Sequence, residues 1–264
     1  MWRLVFFLLI IIDYSFADLF IVIPIFNRAG YVCLVLQNLG RSYCPNCKLY
    51  LLESFDSTIG KDQLLLWSAN MKNVEYGRQV LPTHVSSNEK ANAMAQNAHR
   101  LFEKSNFSHL LVLDSDMLPC RDWYRRMTTG LRDLIGKSGV LTLYRSGAPW
   151  HKPLACGIMT CSMPSIGNGG TIWTRAMSKH VMNMRIGFFG WDSSWTDQLR
   201  LNGYTQLALK ESALLHIGMH GGSKGESLQE KAVDFPYHLL RVLDYVRVKG
   251  YLRGDDSSKC NFEY

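Results

Sequence analysis

Asp114 and Asp116 stand one serine apart at the end of an apolar run, in LLVLDSDMLP (residues 110–119). Two carboxylates that close repel each other, and burial strengthens the repulsion because the interior screens charge poorly. The pattern calls for a positive partner between them. A hard divalent cation fits, since it prefers oxygen ligands and also neutralises a diphosphate. Read instead as turn-forming aspartates that cap the next helix, the same pair needs no cation.

The flanking sequence supplies the frame that must hold this pair. LFIVIPI (19–25) is a continuous apolar run between Asp18 and Asn27, as expected of a strand buried on both faces. YVCLVLQNL (31–39) has helical spacing and ends at Gly40. KLYLLES (48–54) reads as a second strand followed by Asp56, and residues 88–102 as an alanine-rich helix with Ser87 placed to cap it. HLLVLDSD is the third strand. Alternating strands and helices predict a parallel sheet with right-handed crossovers. Ligands of such sheets bind outside the carboxyl ends of the strands, which puts Asn27, Arg28, Asp56, Asp114 and Asp116 along one edge.

The second half changes character. GVLTLYR (139–145) and LACGIMTCS (154–162) read as strands, and the glycines of GNGGTIWTR (167–175) lie beside another. Those glycines either let backbone approach a ligand closely or simply turn the chain between strands. SSWTDQLRLNGY (193–204) is a short helix closed by Gly203, and ALLHIGMHG (213–221) a strand running into a glycine-rich loop. Residues 234–252 form an aromatic, basic amphipathic helix expected to dock on the body.

With 264 residues, 47% hydrophobic and 19% charged, the chain can bury a full core. A formal charge of +7 suits an anionic partner such as a nucleotide, phospholipid or acidic glycan, although solvated lysines and arginines give the same sum. No basic stripe interleaves with aromatics, which argues against nucleic acid. MWRLVFFLLIIIDYSFA has the layout of a secretory signal peptide, with small residues before a cut after Ala17. Asp13 stops the apolar run far short of the roughly 20 residues a membrane span needs. A short uncleaved anchor is one alternative, and a buried first strand with an apolar extension another; membrane association is expected only through this segment. CNFEY at the C-terminus is no endoplasmic-reticulum retrieval signal.

Seven cysteines in an oxidising compartment leave at least one thiol free or paired elsewhere. Cys44-Pro-Asn-Cys47 has the spacing of a zinc knuckle or redox pair, but no second pair completes a zinc site, and a local disulfide is the simpler expectation. Asn106-Phe107-Ser108 is an acceptor sequon in a turn.

VIPIFNR, LDSDMLP, GNGGTIWTR, FFGWDSSWTDQLRLNGY and LLHIGMHG fall in the order seen in inverting glycosyltransferases of the GT-A fold. The chain resembles family 2 enzymes and the β-1,4-galactosyltransferase and chondroitin-synthase group, over roughly residues 19–221. The resemblance implies a Rossmann-like, mostly parallel α/β sheet flanked by helices. It also implies a nucleoside-diphosphate sugar donor, most simply a UDP-sugar, a Mn²⁺ or Mg²⁺ ion, and inversion at the anomeric carbon. By position, Pro24, Asn27 and Arg28 would line the nucleotide pocket with Gly169 and Gly170, and Asp56 would contact base or ribose. Asp116 would ligate the metal, Asp114 would hold the ribose or assist the metal, and His216 would complete the metal site, with His220 a nearby competitor.

GWDSSWTDQLRLNGY (190–204) resembles the family stretch in which Gly-Glu-Asp opens a helix ending in Gly-Tyr, and gapless register puts Asp192 at the general base. The chemistry needs one carboxylate near the acceptor hydroxyl, opposite the leaving diphosphate. Trp191 replaces the usual glutamate. Asp192 would otherwise only cap the helix, with Asp197 the reserve candidate. Trp191 and Trp195 suit stacking on an acceptor sugar, though aromatics also bury themselves. The expected organisation is a signal peptide or short anchor at 1–17, the transferase domain at 18–222 and a packed helical extension at 223–264. The acceptor would be a hydroxyl of a glycan, protein or lipid in the secretory pathway, in the lumen of the endoplasmic reticulum or Golgi or outside the cell. Two alternatives stay open. One is a nucleotidyltransferase on a similar sheet; the other is an inactive or lectin-like relative that binds donor or glycan without turnover.

Overall fold

The computed structural model describes residues 18–42, 44–80, 86–147, 151–167, 169–184 and 191–217. The expected leader (1–17), His220 and the expected C-terminal helix (234–252) lie outside the described residues, as does the boundary placed after residue 222.

β1 (Leu19–Ile25) occupies the run that reads as a doubly buried strand. Its side chains alternate between two cores. Leu19, Ile21, Ile23 and Ile25 join one, and Phe20 and Val22 the other. The first core is closed by α1 (Ala29–Arg41), α2 (Lys61–Trp67) and α4 (Trp123–Leu131), the second by α3 (Ser87–Glu103), α5 (Arg175–Val181) and α6 (Trp191–Leu201). Helices thus cover both faces, as a largely parallel sheet requires.

The sheet has nine strands in the order β3-β2-β1-β4-β9-β6-β10-β8-β7. Here β2 is Cys47–Ser54, β3 Val74–Gln79, β4 His109–Val112, β6 Gly139–Thr142, β7 Ala155–Cys156, β8 Thr160–Ser162, β9 Thr171–Thr174 and β10 Thr205–Leu209. β1, β2, β3 and β4 are mutually parallel, as are β6 and β10, while β9 and β8 pair antiparallel with their neighbours. All strands but β8 and β9 therefore point one way. β5 (Met117–Pro119) and β11 (Leu214–His216) form a separate two-stranded sheet.

Four details differ from the sequence reading. α2 and β3 fill a stretch in which no element is expected. LACGIMTCS is not one strand but the hairpin β7–β8, closed by the Cys156–Cys161 disulfide. GVLTLYR is strand only through Thr142. α3 is capped by Ser86 rather than Ser87: its side chain accepts from the Glu89 N–H while Glu89 accepts from the Ser86 N–H, and that reciprocity fixes the start one residue earlier.

The expected Cys44–Cys47 disulfide is present. Among the described cysteines the free thiol is Cys120, which is buried; burial pushes it up to about 12, with the Asp122 carboxylate adding to the effect.

His99 of α3 lies in the second core, edge-on to Trp173 and Trp195 at 5.0 and 5.8 Å, with Nδ1 2.8 Å from Ser178 Oγ. Burial lowers its pKa to about 3, so the folded protein keeps it neutral. The unfolded chain protonates it near its ordinary value of about 6.5. The stability it contributes is therefore complete above about pH 6.5 and declines by about 1.4 kcal/mol per pH unit as pH falls towards 3. Urea midpoints between pH 7 and pH 5 should fall more steeply in the parent than in His99→Gln, and equal slopes would refute the assignment.

Candidate active site

Register brings the candidate residues together. β1 pairs with β2 up to Ile25↔Glu53 and with β4 up to Val22↔Val112, so the loops leaving the three strands open on one edge. Pro24 is buried in β1 opposite Leu52 and beyond the last β4 pair, where its missing N–H leaves no gap in the β1–β4 ladder. It sets the strand's exit from within the sheet.

Asn27 and Arg28 follow directly. Asn27 binds the neighbouring loop twice over: Nδ2 donates to the Asp56 carbonyl at 2.7 Å, and Oδ1 accepts from the Thr58 N–H at 2.7 Å. The Asp56 carboxylate pairs with Lys90 of α3 and accepts from Ser54 Oγ at 2.5 Å. Those two hydrogen bonds hold it below the usual carboxylate range against a smaller effect of burial. Arg78 of β3 ties the same loop, donating to the carbonyls of Phe55 and Ser57 at 2.7 and 2.9 Å. Sequence reasoning misses Lys90 and Arg78. Both lie more than 20 residues from the loop they hold, and β3 itself is not foreseen.

Asp116 is 5% exposed and Arg28 forms an ion pair with its Oδ2. His216 Nε2 approaches that same oxygen to 3.5 Å. The approach is fixed by the small sheet, in which His216 pairs opposite Met117 and the Ile217 N–H donates to the Asp116 carbonyl at 2.9 Å. Burial alone would raise the Asp116 pKa, but His216 and Arg28 outweigh it and hold the carboxyl below its ordinary value. Burial likewise opposes protonation of His216, and Asp116 and Asp114 reverse that, leaving the imidazole above its usual value.

Asp114 is brought in by β9. The Gly170 N–H donates to the Val112 carbonyl at 2.8 Å, seating Gly169 against the aspartate. A Cβ at Gly169 would lie 2.5 Å from Asp114 Oδ2, so any side chain there would push the carboxylate aside. Gly170 has φ +74°, and a Cβ would lie 2.1 Å from Leu214 Cδ1, so glycine serves both conformation and packing. The arginine that ends GNGGTIWTR braces the fold. Arg175 donates to the carbonyls of Ser105 and Phe107 at 2.9 and 2.6 Å, pinning the sequon loop where Asn106 is exposed.

The sequence matches no family model and no curated protein. Solved structures do align. One is the Pyrobaculum calidifontis mannosyltransferase PcManGT in complex with GDP-Man and Mn²⁺, at 11% identity and TM-score 0.52, covering 74% of this chain and 56% of that one. Another is S. aureus TarS 1-349 in complex with UDP-GlcNAc, at 14% identity and TM-score 0.53, covering 80% of this chain and 61% of that one. The chain has a GT-A fold. It spans about 56–61% of the length of these structures.

On this GT-A scaffold the remaining candidates fall at α6. Asp192 and Trp191 open that helix, and their side chains lie outside the described residues. Asp197 is 56% exposed and pairs with Arg200 at 3.2 Å, as a helix surface group does. Trp195 requires a correction. It is 1% exposed, edge-on to Trp173 at 6.1 Å, and is a core residue rather than a platform for an acceptor sugar.

Donor chemistry tests whether a cation fits. Two ligands bound at about 2.1 Å to a common metal lie about 3.0–3.4 Å apart. Asp116 Oδ2 and His216 Nε2, at 3.5 Å, lie just beyond that span, and a small turn of either side chain brings them within it. Among the described residues no group of three His, Cys, Asp or Glu side chains surrounds one point.

Proposed function

We propose that this protein is a metal-dependent inverting glycosyltransferase that moves a sugar from a nucleoside diphosphate, most simply uridine diphosphate, to a hydroxyl of a glycan, protein or lipid. One observation carries the reading: Asp116, His216, Arg28 and the Asp114–Gly169 contact converge on one edge of a GT-A sheet. Similar folds bind GDP-Man with Mn²⁺ and UDP-GlcNAc, which supports a nucleotide-sugar donor.

In this reading Asp116 and His216 hold a Mn²⁺ or Mg²⁺ ion, with Asp114 beside them. When bound, the ion supplies positive charge to the departing diphosphate. Asn27 and Asp56, braced by Lys90 and Arg78, shape the pocket for base and ribose. Gly169 and Gly170 let backbone approach the sugar. Asp192 accepts the proton of the acceptor hydroxyl as it attacks the anomeric carbon from the face opposite the diphosphate, in one displacement. A nucleotidyltransferase would need a glycine-rich, basic loop after the first strand. Only Phe26, Asn27 and Arg28 separate β1 from α1.

The proposed organisation is a leader at 1–17, a transferase domain at 18–222 and a C-terminal extension at 223–264, in the secretory pathway. The Cys44–Cys47 and Cys156–Cys161 disulfides favour an oxidising compartment. Among the described residues no helix is long and apolar enough to cross a membrane. A panel of nucleoside-diphosphate sugars scored by thermal shift tests the function. At least one should raise the melting temperature with Mn²⁺ and lose that effect in excess chelator. A panel without any metal-dependent shift would reject the reading.

A further inference from the structure

We propose that Arg28 is the built-in counter-ion of the cation site: it leaves Asp116 when a divalent cation arrives and turns to the diphosphate that accompanies it. The inference rests on the function proposed above. A carboxylate as deep as Asp116, 5% exposed, is costly without a positive partner. Arg28 Nη1 supplies that partner, and it does so on Oδ2, the oxygen His216 Nε2 faces at 3.5 Å. A cation held by both Oδ2 and Nε2 would share Oδ2 with the guanidinium, and two positive charges on one oxygen repel.

Arg28 is placed to move. It precedes α1 on the loop, with φ −136° and ψ 58° outside helical and strand values, and its side chain is 26% exposed. Its planar fork of donors suits phosphate oxygens better than a single carboxylate oxygen does. The exchange therefore moves a positive charge from the cation's ligand to the cation's own anion. Metal and nucleoside diphosphate then bind with positive coupling, and the metal alone binds weakly because it must evict Arg28.

Free Mn²⁺ measured by electron paramagnetic resonance on the full chain, with and without UDP (and GDP in parallel), tests this. In the parent, nucleotide should tighten Mn²⁺ binding by about tenfold or more. In Arg28→Gln, Mn²⁺ alone should bind about tenfold tighter than in the parent, and the gain from nucleotide should shrink. Arg28→Lys keeps a charge for Asp116 and should stay near the parent for Mn²⁺ alone. An Arg28→Gln variant no tighter for Mn²⁺ alone overturns the exchange while leaving the metal-dependent function intact. If that variant fails to fold, the parent still decides, because additive binding of Mn²⁺ and nucleotide overturns the exchange. Absence of Mn²⁺ binding under both conditions overturns the exchange and the proposed function together.

Discussion

Replacing Asp116 by asparagine is expected to reduce Mn²⁺-dependent nucleotide affinity by about 100-fold or more. Loss of a group that merely orients a metal ligand costs about 10- to 100-fold, so loss of the ligand itself should lie at or beyond the upper end. The substitution keeps size and removes charge, so the packing of the 5%-exposed side chain persists. Stability should fall as well, because the Arg28–Asp116 ion pair is lost. Breaking a fully buried pair costs about 3–5 kcal/mol, but Arg28 can turn to solvent, so about 1–2 kcal/mol is expected. Calorimetric titration of UDP with and without Mn²⁺, beside urea unfolding, separates the two effects. Undiminished affinity in the variant, or equal parent affinity in excess chelator, would remove Asp116 from the metal site.

The second large effect is expected at Asp192. A positioned general base contributes about 10²- to 10⁴-fold, so Asp192→Asn should slow turnover by that order. Asp192 lies in the first turn of α6, where loss of its charge costs about 0.3–1 kcal/mol, so stability should change little. Donor affinity should survive, because the proposed base faces the acceptor and not the diphosphate. Asp197→Asn is the control. Its exposed pairing with Arg200 predicts a change within about 0.5 kcal/mol and near-parent turnover. If Asp197→Asn stops turnover while Asp192→Asn retains it, the wrong aspartate has been assigned. Small, equal losses in both would favour a binding protein.

The first strands of the sheet are legible in the sequence because they obey simple periods. β1 reads as a continuous apolar run, and a doubly buried strand admits little else. Because its neighbours are parallel to it, residues at the strand ends share an edge, and the Asn27–Asp56 and Arg28–Asp116 contacts follow. What stays hidden depends on pairings at long range. Lys90 reaches Asp56 across 34 residues, and no local pattern encodes that. LACGIMTCS reads as one strand because its apolar residues mask the turn that Gly157 and the Cys156–Cys161 bond create. Trp195 misleads for a different reason. With Leu199 four residues on, it forms the inward stripe of an amphipathic helix, and both are buried.

The free thiol of Cys120 gives the molecule an internal gauge of its own opening. It follows β5, and its N–H donates to the Ala213 carbonyl at 2.9 Å, beside the strand that delivers His216. Buried, and shifted up to about 12, it is almost wholly un-ionised at neutral pH and closed to alkylating reagents while the small sheet is intact. Its labelling rate therefore counts the excursions in which β5 and β11 part. Anything that fastens Asp116 to His216 should slow that clock, turning a residue with no part in the chemistry into a timekeeper for the groups that perform it.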